Sequence, residues 1–511
     1  MSKEKANRLD RLIGWISPKA GASRLAWRNN MEQQRSNYDA ADTGRLQSQW
    51  TLFNETAEQT DSFERDIVRA RARDLERNSD IENGITRAFR RNVIGTGLHV
   101  RITTGDSELD QQLEKHWKRW CKARNCDVTG MQSLSQMLRM CVQRKVVDGG
   151  FIILKRYTNQ GFLPLQLQVM EVDDLDTAQM KPHAKGNRVV GGIEYNAWNR
   201  PQGYWIRQVS VDGLVQLPSI FIEAKDAIFY FTKRRPTQIR EFSDVAPVVT
   251  RIKNTNEFMH AVAVKERINS CLAAFIMRMN PASGTYGRIA GTEDGISYQG
   301  RRLVPGMIME LNPGDSVQCL NPSGQATDAA SFVKLQQRMI SAGSGLSYEA
   351  TSRDLSETTY SSARQGLIED DLTYGEEREG LQEIVLDEIY ESFVISCWLK
   401  GFIGVPGFWE NKERYLQHEW VTEPRRWIDP QKEANANRIA LATGQKTFQQ
   451  ICSENGRDWK QVIDEMAEAY SYASEKGIEL SKIVYGQDSI ELYGDEQTEN
   501  QAKKGDDSEQ A

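Results

Sequence analysis

Periodicity among the apolar residues divides the chain into stretches of different character. From Ser62 the spacing is helical, and Ser79-x-x-Glu82 spells a capping box that opens a second helix ending near Gly95. Two more helical stretches follow, at about 107–122 and 132–147. The period then shortens. FIILKRY (151–157), FLPLQLQVMEV (162–172), GYWIRQVS (203–210) and DAIFYFT (226–232) have strand composition and are separated by Gly, Asn and Pro. The first half therefore reads as α+β.

The middle reads differently. Residues 244–279 hold no glycine and no proline after Pro247, and apolar positions from Val248 to Phe275 recur at three, four and longer steps. This predicts one helix on the order of 50 Å long, more than a compact domain usually needs. Residues 280–325 are crowded with Gly and Pro, which predicts short strands and turns. Thr327 or Asp328 can cap a second helix that stops at Gly343, and the loop SGLSYEATSRDLSETTYSS leads into a third at about 359–400. Glycines at 366, 375 and 380 predict bending or breaks in this third helix.

Towards the C-terminus, Asp429-Pro430 opens a helix closing at Gly444, the capping box Thr447-x-x-Gln450 opens one closing at Asn455-Gly456, and Asp458-x-x-Gln461 starts one reaching Gly477. These predict a small helical bundle. Residues 1–60 mix Asn, Gln and Ser with isolated aromatics (Trp15, Trp27, Tyr38, Trp50) and read as an arm that orders only against something else.

Charge sharpens this picture. The net charge is −6, and residues 486–511 carry eight acids and two bases, so the acidity belongs to a tail with too little apolar content to fold. The rest is balanced, which excludes clamping of nucleic acid by bulk charge. With 511 residues the chain suits three or four domains or one elaborated assembly subunit. No run approaches the ~18 apolar residues of a membrane span. The start, MSKEKANRLDRLIGW, lacks the apolar stretch of a secretion signal, which points to a cytoplasm. Seven cysteines scattered from Cys121 to Cys452 fit reduced thiols, with no bridges expected.

Most candidate chemistry fails on inspection. ATGQKTF around Lys446 lacks the glycines of a phosphate-binding loop, and Gly95-Thr96-Gly97 lacks the third glycine of a dinucleotide fingerprint. His116, Cys121 and Cys126 fall at spacings of five without a fourth ligand. Asp173, Asp174 and Asp176 after a strand, and Glu369, Asp370 and Asp371 in a helix, are the carboxylates a two-metal nuclease would use. Consecutive helical carboxylates point in different directions, and turns favour Asp anyway. Arg65, Arg69, Arg73 and Arg77 recur every four residues among interleaved acids, so a solvated or inter-subunit salt-bridged face is favoured over a DNA contact. Lys334 and Arg338 on the second long helix, with Lys265, Arg267 and Arg278 on the first, can line a channel if the helices stand side by side.

Three stretches resemble the portal proteins of tailed bacteriophages, lambda-type: RARARDLERNSDIENGITRAFRRNVIGTGL (69–98), GLSYEATSRDLSETTYSSARQGLIE (345–369) and RRWIDPQKEANANRIALATGQKTFQQICSENGRDW (425–459). With KRRPTQIREFSDVAPVV (233–249), the resemblance extends from about residue 60 to 480. One departure stands out: this chain reads Arg240-Glu241 where the family pattern has a glycine after the arginine. The resemblance implies a multi-domain α+β portal fold. Its parts would be an arm (1–60), a wing (61–243), stem helices (244–279 and 327–343), a clip (280–326), a tunnel loop (344–358), a long kinked helix with wing return (359–428), a crown (429–485) and the acidic tail.

The function so implied is a virion ring of about twelve copies at one capsid vertex, assembled in the host cytoplasm, through which double-stranded DNA passes without sequence specificity. Partners would be the terminase large subunit, major capsid and scaffolding proteins, and head-completion or adaptor proteins, with no membrane, cofactor, metal or catalytic residue. Tunnel-loop and channel residues would be Ser344, Tyr348, Arg353, Asp354, Lys334 and Arg338. Clip docking residues would be Tyr286, Arg288, Arg301 and Arg302. The competing readings are a metal-dependent DNA-processing enzyme and a capsid or tail structural protein without a channel.

Overall fold

The computed structural model describes residues 54–210, 216–270, 274–278, 315–319, 329–421, 430–457 and 459–478, with scattered positions before residue 28. The chain divides into two compact units, Met1–Thr60 and Asp61–Ala511. In the first unit, Trp15 and Trp27 are exposed.

Helices α1 (Arg65–Asn78) and α2 (Asp80–Val93) meet at Ser79, whose hydroxyl accepts from the Glu82 amide. Only half of the expected capping box forms, because the buried Glu82 carboxylate accepts from the Thr86 hydroxyl instead. After strand β1 (His99–Ile102) come α3 (Ser107–Trp120) and α4 (Leu134–Asp148). Gly149 ends α4 at φ 94°, with the Phe242 backbone where a side chain would stand, so the chain turns directly into β2 (Gly150–Tyr157).

Strand β2 is the centre of a three-stranded antiparallel sheet, flanked by β3 (Leu165–Met170) and β8 (Ala227–Phe231). Its first six residues are buried on both faces. Phe151 and Ile153 enter the main core with the helices, while Ile152 and Leu154 enter a second core. The strand period of two thus serves both cores. That second core is closed by an antiparallel sheet of β4 (Arg188–Val190), β5 (Ile193–Tyr195), β6 (Pro201–Val209) and β7 (Gln216–Glu223).

The long helix expected over 244–279 is shorter. Helix α5 spans Val249–Ser270, and Ala274–Arg278 is strand β9, paired antiparallel with β10 (Asp315–Cys319). From Cys271 to Met277 the sequence is unbroken apolar, a run that satisfies strand and helix alike. Pairing with β10 decides it, and Arg278 therefore sits on a strand rather than on the helix face with Lys265 and Arg267. Helix α6 (Ala329–Ser344) runs antiparallel beside α5: Arg251 bonds Gln336 at 3.1 Å, and the rings of Phe258 and Phe332 lie 4.7 Å apart.

A short helix, α7 (Tyr348–Ser352), occupies the expected loop. Helix α8 (Tyr360–Leu381) then passes through a π-helical turn, Gln382–Leu386, into α9 (Asp387–Leu399). The irregularity falls just after Gly380, where a Cβ would stand 2.6 Å from the Tyr230 hydroxyl; Gly366 and Gly375 leave the helix unbroken. Strand β11 (His418–Val421) pairs with β1 across the chain. Last come α10 (Pro430–Ala442), α11 (Phe448–Glu454) and α12 (Trp459–Glu475), with Gly444, Gly456 and Gly477 at positive φ as the helix-closing pattern predicted. Cys452 of α11 and Ala473 of α12 are buried.

Candidate functional site

The channel residues proposed from sequence converge where α6, α7 and α8 meet. Ser347 caps α7, and Asp370 of α8 accepts from both the Ser347 amide and its hydroxyl, each at 2.6 Å. Ser341 and Thr351 share a hydroxyl hydrogen bond of 2.6 Å, and the Thr373 hydroxyl donates to the Gly345 carbonyl. Leu346 is buried in the core. The segment expected as a free loop is therefore folded back and anchored at several points, because its Ser and Thr hydroxyls satisfy local backbone and carboxylate partners.

On its outer side Tyr348 collects charge. Lys334 and Arg338 lie over its ring at 5.8 and 5.6 Å, and its hydroxyl donates to Asp354 at 3.0 Å. Lys334 also pairs with Glu357, which raises its pKa, while hydrogen bonds from Ser356 lower that of Asp354. Arg353 takes a left-handed backbone at φ 58° and ends α7. Lys334 is thus matched by Glu357, while Arg338 is held over the Tyr348 ring. Ser344 departs from expectation: it lies in the last turn of α6 and donates to the Ser341 carbonyl. Tyr286, Arg288, Arg301 and Arg302 lie outside the described residues.

The arginine row and the carboxylate cluster turn out to be partners of each other. Arg69 pairs with Asp173 at 2.6 Å and with Glu241 at 3.0 Å; Arg73 pairs with Asp148 at 2.7 Å and Asp173 at 2.6 Å. Arg240 donates to both oxygens of Glu241 and to the carbonyls of Gly191 and Val172. The row is salt-bridged, but inside the subunit and largely buried rather than on the solvated or inter-subunit face expected from sequence; Arg77 alone stays at the surface beside Asp74.

The two-metal arrangement does not form. Asp174 accepts from the Glu171 amide and Asp176 from the Ser219 hydroxyl, so the three aspartates serve separate structural roles. Glu369 accepts from Gln365, and Asp370 faces Ser347. Among the described residues no three His, Cys, Asp or Glu side chains are grouped to hold a metal ion. His116 stacks near Phe162 and Phe402 at 5.5 and 5.1 Å, and Cys121 and Cys126 are thiols whose ionisation is suppressed by burial. Lys446 pairs with Glu454 across the turn between α10 and α11, and Gly95 accepts from Arg139. No described helix is long and apolar enough to cross a membrane.

Sequence reasoning missed Glu357, Asp370 as an anchor, and Glu241. Glu241 carried one signal: a charged residue where the family pattern has glycine.

The described body is α+β and carries the antiparallel helix pair α5 and α6. The family model for phage portal proteins of the lambda family matches residues 43–378, and the chain belongs to that family. The probable portal protein of Halomonas phage phiHAP-1 is 26% identical over 450 residues, covering 83% of this chain and 84% of that protein. Portal protein B of Escherichia phage lambda is 19% identical over 436 residues, covering 77% and 81%. Among solved structures, a chain of a gene transfer agent virion aligns with TM-score 0.41 at 12% identity, covering 77% of this chain and 99% of that one. A chain from the neck of an empty gene transfer agent particle aligns with TM-score 0.42 at 14% identity, covering 76% and 93%.

Proposed function

We propose that this portal protein works as a closed ring of about twelve copies at one capsid vertex, with double-stranded DNA passing along its axis. Residues 61–243 serve as wing, α5 and α6 as stem, 280–326 as clip, and 344–358 as tunnel loop. Residues 359–428 cross and rejoin the wing, and 429–485 form the crown. The clip docks the terminase large subunit and later the head-completion proteins, through Tyr286, Arg288, Arg301 and Arg302. The wing and crown meet major capsid and scaffolding proteins. The chain carries out no covalent chemistry.

The observation that carries this reading is the cluster of Lys334, Arg338, Tyr348, Asp354 and Glu357 at the junction of α6 and α7, where Lys334 is paired with Glu357 and Arg338 lies over the Tyr348 ring. DNA that must slide is slowed by every phosphate a protein neutralises, since each contact releases counterions and adds affinity. A cation already paired with a carboxylate, as Lys334 is with Glu357, meets the duplex loosely. Replacing residues 353–358 with a Gly/Ser segment of equal length, which spares buried Leu346 and anchored Ser347, tests it. We expect normal assembly and reduced genome retention in particles; full retention contradicts the role of this segment.

A further inference from the structure

Two surfaces of the α+β body are complementary in charge and stand at opposite ends of strand β8. At its start lies a groove of about 720 Å³ beside the π-helical turn, with five carboxylates along it: Asp226, Glu383, Asp387, Glu388 and Glu391. Its floor includes half-exposed Ile384 and the ring of Tyr157. Lys155 pairs with Glu388, Lys412 with Glu391 and Lys225 with Glu223, and Asp387 bonds His418 and Trp420, which leaves Glu383 and Asp226 without an ion-pair partner among the described residues. Helices rarely keep a π-turn without a functional or packing demand.

Beyond the other end of β8, residues 232–237 are all exposed and include Lys233, Arg234, Arg235 and Pro236. The turn is held rigidly from beneath. Buried Gln238 accepts from the Arg234 amide at 2.8 Å, donates through its own amide to the Arg235 carbonyl at 3.0 Å, and through its side chain to the Arg240 carbonyl at 2.9 Å. At about 3.3 Å per strand residue, Lys233 stands roughly 20 Å from Asp226, too far for this rigid turn to reach the groove of its own chain.

We propose that the turn at 233–237 of one copy inserts into the acidic groove of a second copy, Lys233 and Arg235 meeting Glu383 and Asp226, with Pro236 against Tyr157 and Ile384. A convex basic element and a concave acidic one on different parts of one chain make a head-to-tail contact, the kind that closes a ring. The contact fixes register and order of the subunits more than it supplies bulk affinity. It rests on the ring reading above and names the residues that would set its geometry.

The test is charge reversal on the full chain, read by native mass spectrometry and sedimentation. Lys233→Glu with Arg235→Glu, or Glu383→Lys with Asp226→Lys, should each weaken assembly at least about tenfold, as like charges face each other. All four substitutions in one chain restore the complementarity with signs exchanged and should recover most of the assembly. The milder pair Lys233→Gln and Glu383→Gln, folded by circular dichroism, should each give a smaller loss in the same direction. Reversals that assemble like the wild type, or a fourfold variant no better than either pair, overturn this contact while leaving the ring intact. A wild-type chain that forms no ring at all overturns the ring reading with it.

Discussion

Arg69 and Glu241 lie 172 positions apart and meet at 3.0 Å, both buried, joining helix α1 to the segment that leads into α5. Glu241 also accepts from Arg240 through both carboxylate oxygens. Glu241→Ala leaves two buried guanidinium groups short of their counter-charge, and we predict a loss of about 3–5 kcal/mol in chemical denaturation. Asp66→Ala removes another partner of Arg69, but one that is 80% exposed, and should cost under about 1 kcal/mol. Equal effects would contradict the assignment of Glu241 as the centre of the network.

Glu82 gives a pH dependence. Burial pushes its pKa up from 4.5 to about 7, and one carboxylate oxygen has no partner. Below about 4.5 the group is protonated in both folded and unfolded chains and costs nothing. As pH rises towards 7 the unfolded chain ionises first, so stability falls, by about 3 kcal/mol in all, and stays level above. Glu82→Gln should remove this slope, making the variant more stable than the wild type at pH 8 relative to pH 4.5. Parallel stability profiles would refute the shift.

The anchoring of α7 predicts a local effect. Asp370→Ala frees the Ser347 amide and hydroxyl, and hydrogen exchange at residues 347–353 should accelerate at least about tenfold while β2 amides stay protected. Gly84→Ala disturbs α7 from the side of α2, because its Cβ would stand 2.7 Å from the Thr351 carbonyl oxygen. The clash should outweigh the roughly 1 kcal/mol gain in helix propensity and loosen α7 in the same assay. Unchanged exchange in both variants would show that α7 is held by something else.

Local signals in the sequence were legible where the deciding atoms are near in the chain. Ser79, Thr447, Gly444 and Gly477 mark helix ends because a cap is made within a few residues. Strand β7 was obscured by Pro218, which is tolerated because β7 lies at the edge of its sheet. Strands β4 and β5 are three residues each, too short for a period to show. The end of α5 depended on β10, some forty residues on, and the arginine row and aspartate cluster looked like two sites until folding paired them. Segment 344–358 was singled out by its resemblance, but its anchorage to Asp370 required the fold.

The central claim is that copies of this chain close into a ring around DNA. Native mass spectrometry of the purified protein, with end-on images of the same sample, tests it most directly. A closed assembly of about twelve 58.2 kDa chains, with an axial opening wide enough for a ~20 Å duplex, is the predicted result. A monomer or dimer that persists when capsid and scaffolding proteins are added would contradict it.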